Sequence, residues 1–131
     1  MSQVREEIEA RGKPTLSATE PVIDLVITDE VEGTGDEVTT GATVTAHYVG
    51  VSASTGAQFD ASWDRGAPIS FPLNGVIQGW SDGLLGMKVG GRRTLVIPGE
   101  MAYGSNPPPG AGIAPNETLV FTVDLVDVSW R

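Results

Sequence analysis

The stretch Val76–Leu84 reads VIQGWSDGL and carries the one apolar spacing in the sequence that fits a helix. Four large apolar residues fall at i, i+3, i+7 and i+10, namely Ile77, Trp80, Leu84 and Met87. The helix is expected to be short, because each glycine within it costs about 1 kcal/mol relative to alanine. Trp80 lies between two of these glycines, Gly79 and Gly83. Its ring therefore either fills the core or faces an opening at the core's edge.

Composition limits the kind of protein that surrounds this helix. The chain has 131 residues, of which 40% are hydrophobic and 19% charged, which predicts one globular domain with a short appendage. With 17 glycines and 9 prolines, turns and short strands are favoured over long helices. The net charge of -9 would repel phosphate backbones and anionic lipid, so nucleic acid and membranes are not expected partners.

The first 20 residues differ from the rest of the chain. They carry charges of both signs, lack aromatic residues and are interrupted by Gly12 and Pro14. We expect residues 1–20 to be a flexible extension with at most a helical turn at Val4–Ala10, and residues 21–131 to be the domain. No apolar leader and no run of roughly 18 apolar residues is present, so a cytoplasmic location is expected.

Alternating apolar residues predict strands on both sides of the helix. The expected strands span residues 22–27, 42–50, 57–62, 69–73, 94–97 and 118–128. Val44, Ala46 and Tyr48 share one face of the second strand, and Leu119, Phe121, Val123 and Leu125 form an apolar face on the last. Short strands around one short helix predict an α+β domain with a mostly antiparallel sheet packed on that helix.

The residues for several common kinds of catalysis are missing. The only histidine, His47, has no second imidazole or cysteine with which to bind zinc, and we expect it to be half-exposed on its strand. The acidic turn at 29–37 lacks the spacing of a calcium loop. The sequence contains neither a phosphate-binding glycine loop nor a serine nucleophile elbow. No cofactor is expected.

Six segments, in order, resemble the FKBP-type peptidyl-prolyl cis-trans isomerases. They are HYVG at 47–50, FD at 59–60, DRGAP at 64–68, VIQGWSDGLLGMKVGGRR at 76–93, AYG at 102–104 and APNETLVF at 114–121. The resemblance implies a half-conical antiparallel sheet wrapped on one short helix, with a shallow apolar pocket between them that accepts proline.

The resemblance also assigns roles to individual residues. It implies catalytic roles for Asp60, Tyr103, Ile77 and Trp80, and substrate contacts for Tyr48, Phe59, Arg65, Ile69, Val76, Ile113 and Phe121. Trp80 would form the pocket floor, the Ile77 N–H and the Tyr103 hydroxyl would donate to ligand carbonyls, and Asp60 would join a polar network with Tyr48 and Arg65. The implied partners are proline-containing polypeptides and the macrolides rapamycin and tacrolimus, bound by a monomer.

Isomerisation of a prolyl amide fits a chain without nucleophile or metal site. Its barrier of roughly 18–20 kcal/mol is amide resonance, and rotation breaks no bond to hydrogen. Removing the amide from water and binding the twisted state more tightly than the planar ones is sufficient. Two alternatives remain open: a proline-peptide binding or chaperone-like module with little turnover, and a structural β domain without a ligand.

Some positions depart from the family or need special geometry. Phe59 and Asp60 are adjacent, so both can line one pocket only if their strand bends or bulges. Ile69 stands where the family commonly has an aromatic, which should widen or flatten one wall. The loop at 105–113 is about one residue longer than usual, by comparison with the family pattern. Trp63 is expected to be an extra exposed aromatic at the pocket rim.

Overall fold

The computed structural model describes residues 3–130 as an open six-stranded antiparallel sheet with two helices. Met1, Ser2 and Arg131, which the predicted extension and domain include, lie outside the described residues. The helices are α1 (Gln3–Arg11) and α2 (Gln78–Gly83); the strands are β1 (Val26–Val31), β2 (Thr43–Ser52), β3 (Gln58–Ala61), β4 (Ile69–Pro72), β5 (Arg92–Ile97) and β6 (Leu119–Ser129). The predicted α+β class is confirmed.

Strand β2 pairs with three other strands, β6 on one edge and β3 and β4 on the other. The order is β1-β5-β6-β2-β3, and β4 pairs with the first residues of β2 on the edge where β3 pairs with its last ones. Every pairing is antiparallel. Since β3 and β4 share one edge of β2, the segment between them must leave the sheet, and it forms a 3₁₀ turn at Ser62–Arg65, here called the Ser62–Arg65 turn.

Helix α2 packs against the sheet face predicted to be apolar. The four apolar residues of β6 at 119, 121, 123 and 125 are at most 4% exposed. Across from them, Trp80, Leu84 and Met87 are also buried and belong to the same core cluster. The apolar alternation on β6 and the helical spacing therefore predicted the two surfaces that form the core.

The glycines of α2 bring its backbone directly onto β5. A Cβ at Gly79 would lie 2.4 Å from Ile97 Cγ2, and one at Gly83 would lie 2.9 Å from Leu95 Cδ2. Both distances are shorter than van der Waals contact allows, so a side chain at either position would force either the helix or the facing side chain of β5 to shift. Close packing of α2 on β5 is the reason for glycine at both positions.

The first strand begins four residues later than predicted. The apolar run at 22–27 suggested a strand there, but β1 spans Val26–Val31 and all six of its residues are exposed. Its position is set by pairing with β5, in which Asp29 lies opposite Arg93 and forms an ion pair of 2.7 Å with it. An edge strand gains its hydrogen bonds from one neighbour only, so its apolar pattern carries little information.

The N-terminal residues cover the face of the sheet opposite α2, which was not predicted. Residues 3–11 form α1, and Ile8 of that helix is completely buried. Arg11 Nη1 donates to Asp124 Oδ1 on β6 at 3.1 Å, and Leu16 packs against a second apolar cluster formed by Val51, Ala53 and Val120. As a result β6 is buried on both faces. The boundary at residue 20 between extension and domain stays a prediction.

His47 was wrongly expected to be half-exposed. It is 1% exposed, because α1 lies over it and the Trp63 ring stacks on its imidazole at a centroid distance of 4.4 Å. Trp63 is therefore not the rim aromatic that was expected. It lies on the α1 side of β2, since His47 and the pocket residue Tyr48 are adjacent on one strand and point to opposite faces.

We predict that Gly79→Ala lowers the free energy of unfolding. Overpacking against Ile97 destabilises the fold by about 1–3 kcal/mol. The higher helix propensity of alanine offsets only about 1 kcal/mol of this. Urea unfolding measures the change. In an Ile97→Ala background the cost should shrink or disappear, because the atoms that the new Cβ would meet belong to the Ile97 side chain. Strictly additive costs of the two substitutions would contradict the close approach.

Candidate functional site

A cavity of about 400 Å³ opens between α2 and the end of the sheet formed by β2, β3, β4 and β6. Ten residues line it: Tyr48, Phe59, Asp60, Phe71, Gly75, Val76, Ile77, Trp80, Tyr103 and Phe121. Its volume lies in the range of small-ligand sites, and aromatic and aliphatic side chains dominate the lining.

Trp80 is held by the edges of three other rings. Its indole meets Phe71, Tyr48 and Phe121 at centroid distances of 5.1, 5.4 and 5.4 Å, with interplanar angles of 72°, 85° and 86°. Edge-to-face contacts of this kind add to simple burial, because the positive edge of one ring meets the negative face of another. The ring is 4% exposed and still lines the cavity. It is thus both core and cavity wall.

A bulge in β3 brings two adjacent residues to the same cavity. Gly50 lies opposite Asp60 and Val51 opposite Gln58, so Phe59 is an extra residue between two paired positions. Phe59 and Asp60 both line the cavity, which confirms that the strand is irregular there. Gly50 leaves the room that this needs, since a Cβ would lie 2.6 Å from Phe121 Cε1 and 2.7 Å from Phe59 Cζ.

The polar wall of the cavity is a closed triangle of hydrogen bonds. The Tyr48 hydroxyl donates to Asp60 Oδ2 at 2.6 Å, while Arg65 donates to Asp60 Oδ1 at 2.7 Å and to the Tyr48 hydroxyl oxygen at 2.8 Å. The expected network of these three residues is confirmed. The donors and acceptors match: the Asp60 carboxylate only accepts, the Arg65 guanidinium only donates, and the Tyr48 hydroxyl does both.

The triangle sets the protonation of its members. Partial burial raises the pKa of Asp60, but the hydrogen bonds from Arg65 and Tyr48 outweigh this and hold the pKa below its ordinary value. Burial, reinforced by the hydrogen bond to Asp60, raises the pKa of Tyr48 to about 12. At neutral pH the wall therefore presents one carboxylate held in place by a neutral phenol and a cation.

Several hydrogen-bond donors of the lining have no protein acceptor. Within residues 3–130 the backbone N–H of Ile77, the hydroxyl of Tyr103 and the buried indole N–H of Trp80 donate to no protein group. Ile77 precedes α2 in an extended conformation, and its carbonyl accepts from the N–H groups of Trp80 and Ser81. Burial raises the pKa of Tyr103, so its hydroxyl keeps its proton as a donor. Both residues line the cavity.

Three residues predicted to contact substrate do not line the cavity. Arg65 reaches it only through Asp60 and Tyr48, while Ile69 and Ile113 pack half-buried against the core cluster. Their predicted contacts with substrate stay predictions. Sequence reasoning missed Phe71, which lies on the same side of β4 as Ile69 because residues two apart on a strand share a face. That alternation was the signal that could have found it.

The described part of the chain contains no group of three or more histidine or carboxylate side chains able to hold a metal ion. Residues 3–130 also contain no helix long and apolar enough to cross a membrane.

Comparison with known sequences finds one family. The sequence model of the FKBP-type peptidyl-prolyl cis-trans isomerases matches residues 35–126. An FK506-binding protein of Streptomyces anulatus is 55% identical over 111 residues, covering 83% of this chain and 90% of the relative. The FKBP-type isomerase FkpA of Escherichia coli K12 is 49% identical over 96 residues, covering 73% of this chain and 34% of FkpA.

Solved structures of the same family share the fold. The crystal structure of FkpA from Escherichia coli superposes with a TM-score of 0.74 and 40% identity, covering 97% of this chain and 58% of that one. The crystal structure of AtFKBP13 superposes with a TM-score of 0.72 and 36% identity, covering 80% of this chain and 93% of that one.

We predict that Tyr48 ionises near pH 12 rather than at its ordinary value near 10. Tyrosinate absorbance followed against pH, minus that of a Tyr48→Phe variant, isolates this residue from Tyr103. Because the folded state keeps the proton longer than the unfolded state, the stabilisation is complete below about pH 10 and is lost between about 10 and 12. Asp60→Asn should lower the Tyr48 pKa. Ionisation of Tyr48 near pH 10 in the folded protein would contradict the triangle.

Proposed function

The chain belongs to the family of FKBP-type peptidyl-prolyl cis-trans isomerases, and on this premise we propose that the cavity walled by Trp80 is where Xaa-Pro segments bind and rotate. The observation that carries the proposal is the combination of an aromatic cavity, lining donors without protein acceptors and one carboxylate held in place. The proline ring fits against the indole and the surrounding ring edges.

The aromatic lining favours the rotated state by excluding water. Resonance in a planar amide places negative charge on its carbonyl oxygen, and water stabilises that charge. A twisted amide has less of this charge and loses less when it leaves water. The cavity therefore raises the energy of both planar isomers relative to the state between them.

The polar groups hold the segment while its amide rotates. The Ile77 N–H and the Tyr103 hydroxyl bind carbonyl oxygens that flank the proline, which holds the segment in the cavity while its amide rotates. The Asp60 carboxylate adds a negative charge beside the amide. An oxygen that loses charge in the twisted state is repelled less by this carboxylate, which again favours the transition state.

Catalysed relaxation of a Xaa-Pro peptide from cis to trans tests the activity. At micromolar protein the relaxation should be faster than the uncatalysed step, which takes tens to hundreds of seconds. Retained peptide binding without acceleration would show a binding module instead of an isomerase. Assistance to the folding of proline-containing chains follows from the same activity and is tested by the refolding rate of a protein limited by proline isomerisation.

The expected cytoplasmic location and monomeric state also stay proposals. Light scattering on the purified full chain measures its mass in solution.

We predict that Asp60→Leu lowers kcat/KM by roughly tenfold, equivalent to about 1.4 kcal/mol of transition-state stabilisation. The loss of unfolding free energy should stay near 1 kcal/mol or less, because the Asp60 side chain is 41% exposed and belongs to no core cluster. The matched control is Asp82→Leu, which removes an exposed carboxylate from α2 outside the cavity. Equal losses of activity and stability in Asp60→Leu would make the residue structural.

We also predict that rapamycin or tacrolimus binds this cavity and quenches the emission of Trp80. The cavity volume and the name of the Streptomyces relative support this proposal. A Trp63→Phe, Trp130→Phe background leaves Trp80 as the only tryptophan, and Phe at 63 keeps a ring to stack on His47. Displacement of a bound Xaa-Pro peptide is measured in parallel. An unchanged spectrum with no displacement would count against macrolide binding.

A further inference from the structure

A line of hydrogen bonds connects α1 to β2, the strand that carries the cavity residue Tyr48. Glu9 Oε2 lies 2.8 Å from His47 Nε2, and His47 Nδ1 lies 2.9 Å from Ser62 Oγ. The same Ser62 oxygen accepts the Tyr48 backbone N–H at 2.7 Å. Ser62 is completely buried and His47 is 1% exposed, so solvent does not compete for the bonds at Ser62, whereas the Glu9 side chain is 37% exposed.

The direction of the bond between His47 and Glu9 follows from the chemistry of the partners. Hydrogen bonds from His47 and Arg5 hold the pKa of Glu9 below its ordinary value, so at neutral pH its carboxylate only accepts. His47 Nε2 therefore carries a proton and donates to Glu9. Ser62 Oγ accepts from the Tyr48 N–H and lies within hydrogen-bond distance of both His47 Nδ1 and the Tyr48 carbonyl oxygen, the latter at 3.4 Å. Ser62 is thus the point at which His47 and the backbone of Tyr48 meet.

Two more contacts from the N-terminal residues hold the Ser62–Arg65 turn on either side of Arg65. Lys13 Nζ donates to Asp64 Oδ1 at 2.8 Å, immediately before Arg65. Arg5 Nη2 donates to the Gly66 carbonyl at 3.4 Å, immediately after it. Two points on this turn, Ser62 and Asp64, and the Gly66 that follows it are therefore tied to residues 5–13.

Arg65 depends on this turn for its place at the cavity. Its side chain is 48% exposed and its described bonds run to Asp60 and the Tyr48 hydroxyl. A long flexible side chain at the surface loses entropy when it is fixed, so its geometry depends on where the backbone starts it. Ion pairs as exposed as Lys13–Asp64 contribute little to overall stability. Their effect is therefore expected on the local position of the turn.

We propose that Glu9 and Lys13 are positioning residues for the isomerase site: they hold the Ser62–Arg65 turn and thereby keep Arg65 on Asp60. This rests on the proposed role of Asp60 in the cavity. The N-terminal segment thus supports the polar wall from the opposite side of the sheet, although neither residue touches the cavity.

The test uses Glu9→Ala, Lys13→Ala and the double variant in the full chain. The pKa of the Asp60 carboxyl is measured by carbon-detected NMR titration of the folded protein. In the double variant it should rise by about half a unit or more, because a loosened Arg65 no longer favours the charged form. The kcat for a Xaa-Pro peptide should fall roughly threefold while KM is kept, since the effect is on the transition state.

Two further variants separate positioning from charge and from general helix stability. Glu9→Gln removes the charge but keeps an oxygen that accepts the His47 Nε2–H, and it should restore both the Asp60 pKa and kcat. Glu7→Ala removes an exposed carboxylate of α1 that has no hydrogen bond or ion pair within residues 3–130, and it should leave both readouts unchanged.

An unchanged Asp60 pKa and kcat in the double variant, with only a lower Tm, would overturn the proposal and leave α1 a purely stabilising element. Should Glu9→Ala fail to fold, Lys13→Ala at the surface decides by the same two readouts. Absence of catalysis by the unmodified chain would instead contradict the proposed function. The Asp60 titration would still decide whether the turn is held from α1.

Discussion

The contact of α2 with β5 at two glycines is the constraint on which the rest of the structure depends. It sets the depth at which the helix lies, and with it the height of the Trp80 ring above the sheet. The rings of Tyr48, Phe71 and Phe121 meet the indole by their edges only at that height. Helix α2 therefore contains glycines although glycine has a low helix propensity, because the close packing of α2 on β5 outweighs that cost.

The strands that bury one face against α2 could be predicted from the sequence. The position of an edge strand, which is held only by pairing with one neighbouring strand, could not. On β6 and β2 the apolar alternation matches the face that meets α2. Strand β1 has no such constraint, since both of its faces are exposed and its register comes from β5. An apolar run with no buried partner cannot show where pairing begins.

Part of the cavity could be predicted from the sequence. The family motifs identify the side chains that line it, and the alternation along each strand shows which face of the sheet they lie on. The irregular strand at Phe59 and Asp60 followed from the need to place two adjacent residues in one pocket. The docking of α1 could not be predicted in this way. It depends on single polar pairs between distant residues, such as Glu9 with His47 and Arg11 with Asp124, and such pairs leave no periodic signal. The burial of His47 follows from that docking and was missed with it.

The exposed outer edge of β1 has a consequence for a protein that handles unfolded chains. Within residues 3–130 no strand pairs with this side, so its N–H and C=O groups are open to any extended segment. Asp29 and Glu30 lie on the strand itself, in a chain with a net charge of -9. Asp29 is paired with Arg93, so a second copy brought edge to edge would bring the two Glu30 side chains and two negatively charged chains together, which opposes the pairing. The acidic composition thus acts against edge-to-edge association of this strand with a second copy.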